Sequence, residues 1–85
     1  EKDPSINAIA RLKIIITHSP FSLATILTVI AEQGANINNI KVVNRSNDFF
    51  EFVIDINVLG LTQLTNIMAY LRSKECVHTV ERLKL

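Results

Sequence analysis

The stretch from Phe49 to Val58 alternates so cleanly that it limits most of what this chain is able to fold into. Phe50, Phe52, Ile54 and Ile56 fall on one side, and Phe49, Glu51, Val53, Asp55 and Asn57 on the other. Successive side chains of a strand point to opposite faces. The pattern therefore predicts a strand with one apolar side and one side carrying two carboxylates. Unpaired carboxylates are costly to bury, so a sheet built on this strand has one covered face and one face that meets water or a polar partner.

The covering layer is legible on either side of that strand. His18-Ser19-Pro20 stops an upstream strand, with Ser19 suited to the N-cap and Pro20 to the first helical position, where its missing N–H costs nothing. A full capping box is absent, because Ser22 stands where Glu or Gln would complete it. Leu23, Ile26, Leu27, Ile30 and Ala31 recur at helical spacing, and Gly34 follows Gln33 where a left-handed residue is expected, giving a helix over 20–33. A second stripe, Leu61, Leu64, Ile67, Met68 and Leu71, predicts a helix over 61–74 opened by Gly60. Neither helix has a second apolar face, so both belong on the same side of the sheet.

Three more strands complete the pattern. Residues 8–17 carry the β-branched run Ile14-Ile15-Ile16, with Leu12, Ile14 and Ile16 on one face and Arg11 and Lys13 on the open one. Residues 36–44 form another, with Ile40 and Val42 opposed to Lys41 and Val43, and Arg45-Ser46-Asn47-Asp48 is the turn into the alternating strand. The last covers 77–83, and its inward face is undecided: Val80 shares a side with Arg82, Val77 with Leu83. The order β-α-β-β-α-β with right-handed crossovers predicts an α+β, ferredoxin-like sandwich. Its four-stranded antiparallel sheet runs in order 4-1-3-2, with two helices on one face.

Composition sets the remaining bounds. Eighty-five residues make one domain, which we divide into a polar linker over residues 1–8, containing Asp3-Pro4-Ser5, and a folded unit over 9–85. Nine basic and eight acidic residues give a net charge of +1, so charge alone points to neither nucleic acid nor membrane. No apolar run reaches the roughly 18–20 residues of a membrane span. Cys76 is the single cysteine, which excludes an internal disulfide and a cysteine-based metal site, and fits a cytoplasmic location. The chain opens on Glu1 without a methionine, as expected of a piece cut from a longer protein.

Chemistry is sparse. His18 and His78 have no metal-ligand spacing, Glu51 and Asp55 lie four apart on a solvated strand face, and there is no glycine-rich phosphate loop. We therefore expect no catalytic residue, no metal and no cofactor in this segment. The junction at His18–Leu23 is different, because backbone N–H groups at a helix N-terminus either are simply capped or hold a carboxylate or phosphate. RNA-recognition motifs share the same element order, but here the third strand, Asn47 to Val53, lacks their basic residue and glycine, and it exposes Glu51 and Asp55. Arg11, Lys13 and Arg45 remain as candidate phosphate contacts elsewhere.

The chain also resembles a known family. Ala10-Arg11-Leu12-Lys13-Ile14, Pro20, Leu23 and Ile30-Ala31-Glu32-Gln33-Gly34-Ala35-Asn36-Ile37 look like an ACT domain. Val43-Asn44-Arg45-Ser46-Asn47-Asp48-Phe49-Phe50-Glu51, Asp55-Ile56, Leu64-Thr65-Asn66-Ile67 and the closing Val80-Glu81-Arg82 are more particular. They resemble the C-terminal ACT domain of bifunctional RelA/SpoT-type enzymes, which make and hydrolyse (p)ppGpp in the bacterial stringent response. The resemblance implies a non-catalytic regulatory domain that controls remote catalytic domains, as a homodimer through sheet edges, by sensing a small amino acid, or by contacting ribosomal RNA. The alternatives are a ribosomal RNA docking module or the ACT domain of another amino-acid-regulated enzyme. The implied effector residues are His18, Ser19, Pro20, Phe21, Ser22 and Leu23 with Asn36, Ile37 and Asn38. The family usually has glycine where Phe21 stands, so Phe21 is expected to fill the pocket and favour a packing or docking role.

Overall fold

In the computed structural model, which describes residues 8–84, the alternating segment is a strand with the bounds read from its pattern. The elements run β1 (Ala8–Thr17), α1 (Pro20–Glu32), β2 (Asn36–Arg45), β3 (Phe49–Val58), α2 (Leu61–Arg72) and β4 (Val77–Leu83). The sheet is antiparallel in order β2-β3-β1-β4, the ferredoxin-like arrangement expected. The polar leader lies outside the described residues, apart from Ala8, which already belongs to β1.

One core holds the layers together. Ala10, Leu12, Ile14 and Ile16 of β1 and Phe52, Ile54, Ile56 and Val58 of β3 pack with Ile26, Val29 and Ile30 of α1 and Leu64, Ile67 and Leu71 of α2. Both helices thus share one face of the sheet. The α1 stripe is turned slightly from its sequence reading, with Ser22 and Val29 buried and Ala31 exposed. Ser22 is tolerated there because its hydroxyl donates to Ser19 Oγ at 3.3 Å. Leu61 is left outside the α2 stripe, largely exposed.

The end of α1 fixes where β2 begins. Gly34 has φ +85, its N–H donates to Ala31 O, and the N–H of Ala35 donates to Ile30 O. This is a Schellman termination, and Ala35 packs into the core with Ile30. Gln63 braces the same end: its Nε2 donates to Gln33 O at 2.7 Å while its Oε1 accepts from the Leu59 N–H at 2.7 Å.

Two strands carry irregularities that the sequence does not announce. β4 shifts register between Ile15 and Ile16 of β1, where Val77 lies opposite Ile16 and Thr79 opposite Ile15. His78 is the extra residue of this bulge. The insertion settles the undecided face, because it lets Val77 and Val80 both pack toward the helices. β2 shifts twice against β3, around Asn38 and Val43. Ile37, Ile40, Val42 and Arg45 consequently oppose Ile56, Ile54, Phe52 and Phe50 and share the helix side, although their numbers do not alternate. None of the ten residues of β2 is buried.

Hydrogen-bond parity shows which backbone groups face outward. Alternate residues of a central strand bond to opposite neighbours. The Thr17 N–H donates to Cys76 O beside β4, and the His18 N–H to Asp48 O beside β3, so odd-numbered β1 residues bond β4 and even-numbered ones β3. Val80 faces even-numbered Ile14, which turns its N–H and C=O to the free edge. By the same parity Ile40 and Val42 direct theirs to the free edge of β2.

Candidate functional site

Two surfaces carry the polar chemistry. The uncovered sheet face bears a ladder of ion pairs. Arg11 donates from Nε and Nη2 to the two carboxylate oxygens of Asp55, at 2.8 and 3.1 Å, across directly opposed positions of β1 and β3. The hydrogen bonds from Arg11, aided by its charge, hold the Asp55 carboxyl below its ordinary range against a smaller opposing effect of burial. Lys13 lies between Glu51 at 3.6 Å and Glu81 at 3.7 Å. Glu51 and Asp55 are therefore counter-ions of the β1 cations. Among the described residues no three His, Cys, Asp or Glu side chains gather in a way that could hold a metal ion.

At one end of this face Phe49 meets the His78 ring edge-on, with centroids 4.7 Å apart, and His78 Nε2 lies 3.1 Å from Thr17 Oγ1. This cluster has no signal in the sequence, because the bulge places His78 there.

The second surface lies at the N-terminus of α1. A pocket is lined by His18, Ser19, Pro20, Leu23, Arg45 and Phe50. Ser19 occupies the N-cap position and Pro20 the first turn, as the sequence indicated, but the Ser19 side chain makes no bond to a helix N–H. His18 ties this loop to the β2–β3 hairpin: its Nδ1 is 2.6 Å from Ser46 O, its ring stacks on Phe50 at 5.8 Å, and its backbone bonds Asp48. Since a carbonyl only accepts, Nδ1 carries the proton in this contact. Arg45 arrives from the far strand through the bulge at Val43 and makes no ion pair among the described residues.

The floor is apolar (Pro20, Leu23, Phe50), while the rim offers a guanidinium and the positive end of a helix. Such a site suits a small anion with an aliphatic part.

The structure brings together only part of the expected set. His18, Ser19, Pro20 and Leu23 line the pocket, and Ser22 is buried behind it. Phe21 is 81% exposed and stays outside the pocket instead of filling it, because the first turn of α1 directs it to solvent. Asn36, Ile37 and Asn38 stand at the opposite end of β2, where Asn38 and Asn57 exchange two side-chain hydrogen bonds of 3.1 Å. These three residues lie seven to nine strand steps of about 3.3 Å from Arg45. The RNA candidates divide as well: Arg11 and Lys13 are ion-paired on the open face, and Arg45 stands on the helix side. Phe50 was missed as a site residue because its alternation marks it as core.

A family model described as the ACT domain matches residues 7–82. The chain belongs to the ACT family. The crystal structure of the ACT domain from GTP pyrophosphokinase of Chlorobium tepidum superposes with a TM-score of 0.79 at 29% identity, over 92% of this chain and 100% of that one. The GTP pyrophosphokinase rsh of Brucella ovis is 35% identical over 74 residues, 87% of this chain and 10% of that protein. This ACT domain thus spans about a tenth of the length of the curated relatives it matches. The acetolactate synthase small subunit of Thermotoga maritima shares the fold, with a TM-score of 0.77 at 15% identity over 91% of this chain and 48% of that one.

Proposed function

We propose that this ACT domain, residues 9–85 behind a linker, regulates a cytoplasmic RelA/SpoT-type (p)ppGpp synthetase/hydrolase whose catalytic domains lie elsewhere in the protein. The observation that carries the reading is likeness over nearly the whole chain to the ACT domain of one GTP pyrophosphokinase and to a segment of others. The regulatory input is a small amino acid bound at the α1 pocket, its carboxylate toward Arg45 and the helix N-terminus and its side chain on Leu23 and Phe50.

Pairing of two copies completes that site. Antiparallel addition of β2 to β2 about a two-fold axis at Ile40 matches outward-facing backbone with outward-facing backbone. It also sets Lys41 opposite Asn39 and avoids like charges face to face. The same pairing carries the Asn36–Asn38 segment of the second copy toward the Val42–Arg45 end of the first, beside the pocket that lacks it. His18 then links an occupied pocket to the hairpin that ends β2.

Branched-chain amino acids titrated into isotopically labelled protein should shift the amides of His18, Ser19, Leu23 and Arg45. V42P, which removes an outward N–H and no ladder bond, should lower both pairing and affinity. Unchanged amide spectra would remove the effector, and light scattering of a lone monomer at millimolar protein would remove the pairing. Ribosomal RNA docking through Arg11, Lys13 and Arg45 has weaker support, since two of the three cations are already neutralised.

A further inference from the structure

The sheet ends in two strands that are treated differently. At β2 the outward backbone of Ile40 and Val42 receives no side-chain hydrogen bond among the described residues, and both side chains are partly exposed. At β4 the outward carbonyl of Val80 is taken: Arg72 reaches from the last turn of α2 and donates from Nη2 at 3.0 Å. Arg72 also lines the hollow beside that edge with Val77, His78, Thr79 and Val80. Its guanidinium is not needed to satisfy the helix end, because Ser73 N–H donates to Ala69 O and Tyr70 O and Lys74 N–H to Leu71 O. The bulge at His78 further twists the start of the same strand.

An added strand must bond the outward groups of the edge it joins. At β4 the middle acceptor is occupied, and the approach is filled by a charged side chain anchored on the helix above. An incoming strand would have to break this charge-assisted hydrogen bond and crowd the guanidinium with its own backbone. We propose that Arg72 is a strap that closes the β4 edge to strand addition, so that the sheet is extended from β2 alone. Strand pairing then stops at two copies, because the outer edge of each is closed. With both edges open, β2 would join β2 and β4 would join β4 in an unending ribbon. The strap goes beyond the pairing proposed above and does not depend on which effector binds.

Sedimentation velocity across a concentration series tests it. R72M keeps the alkyl stem and removes the donors, and R72A removes both; circular dichroism identifies which variants retain the fold. Wild type should stop at two copies, whereas a folded R72M should form larger species that bind thioflavin. R82P should reverse this growth, because the Arg82 N–H also faces outward and its loss leaves the β1–β4 ladder intact. R72M with V42P should stop at pairs joined through β4, which separates the strap from β2 pairing. A folded R72M that sediments as wild type overturns the proposal, as does growth that R82P fails to suppress.

Discussion

Replacing Gly34 tests how the chain delivers β2 to the sheet. The residue stands at φ +85, beyond the usual left-handed well, at the step that turns α1 into β2. An alanine there adds a Cβ whose nearest neighbour is Gln63 Nε2 at 3.4 Å, an ordinary contact, so crowding contributes little. Backbone strain remains, at about 1–2 kcal/mol for an L-residue held left-handed. Opposing it, alanine restricts the unfolded chain more than glycine does, which stabilises by about 0.4–1 kcal/mol. The strain wins, and G34A should lose about 1 kcal/mol, or about 4–8 °C of melting temperature in a domain of this size. Asparagine tolerates the left-handed region better than alanine, and valine tolerates it least. Urea titrations followed by circular dichroism should therefore rank wild type above G34N, G34N above G34A and G34A above G34V. A G34A protein as stable as wild type, or a G34N protein no better than G34A, would refute the reasoning.

Two further outcomes follow from named contacts. Arg11 depresses the Asp55 carboxyl in the folded state, so the stability it supplies is present above the unfolded pKa and is lost as pH falls through the lower folded value. D55N should flatten that acid limb in denaturation measured from neutral to acidic pH, and an unchanged slope would remove the pair from the account. H18A removes the Ser46 contact and the stacking on Phe50, so amide exchange at Ser46 and Phe49 should speed up while that of the β1 core stays slow. Uniform acceleration would instead mean general destabilisation.

Most of the architecture was readable because two periodicities dominate this sequence. The alternation of β3, the two helical stripes and the Pro20 and Gly34 punctuation together leave little freedom in element order and sheet order. The strand-face readings that failed trace to single inserted residues. Parity arguments assume regular ladders, and bulges at Asn38, Val43 and His78 break that assumption without any glycine or proline to mark them. For this reason the inward face of β4 could not be decided and the Phe49–His78 contact was invisible, while Arg45, read as a turn residue, proves to end β2 on the helix side. The α1 site was half legible: local capping signals located His18–Leu23, whereas Phe50 and Arg45 join it only through the pairing of β2 and β3. Asn36–Asn38, implied by the resemblance, stand a strand's length from that pocket, a separation of which a sequence gives no measure.

A strand with no buried residue places light steric demands on its side chains. Because β2 is held by its neighbour's backbone and contributes no residue to the interior, its side chains are released from the volume limits that govern Phe52 or Ile14. On the pairing proposed above, substitutions along it should change how tightly two copies dock while leaving the foundation upright.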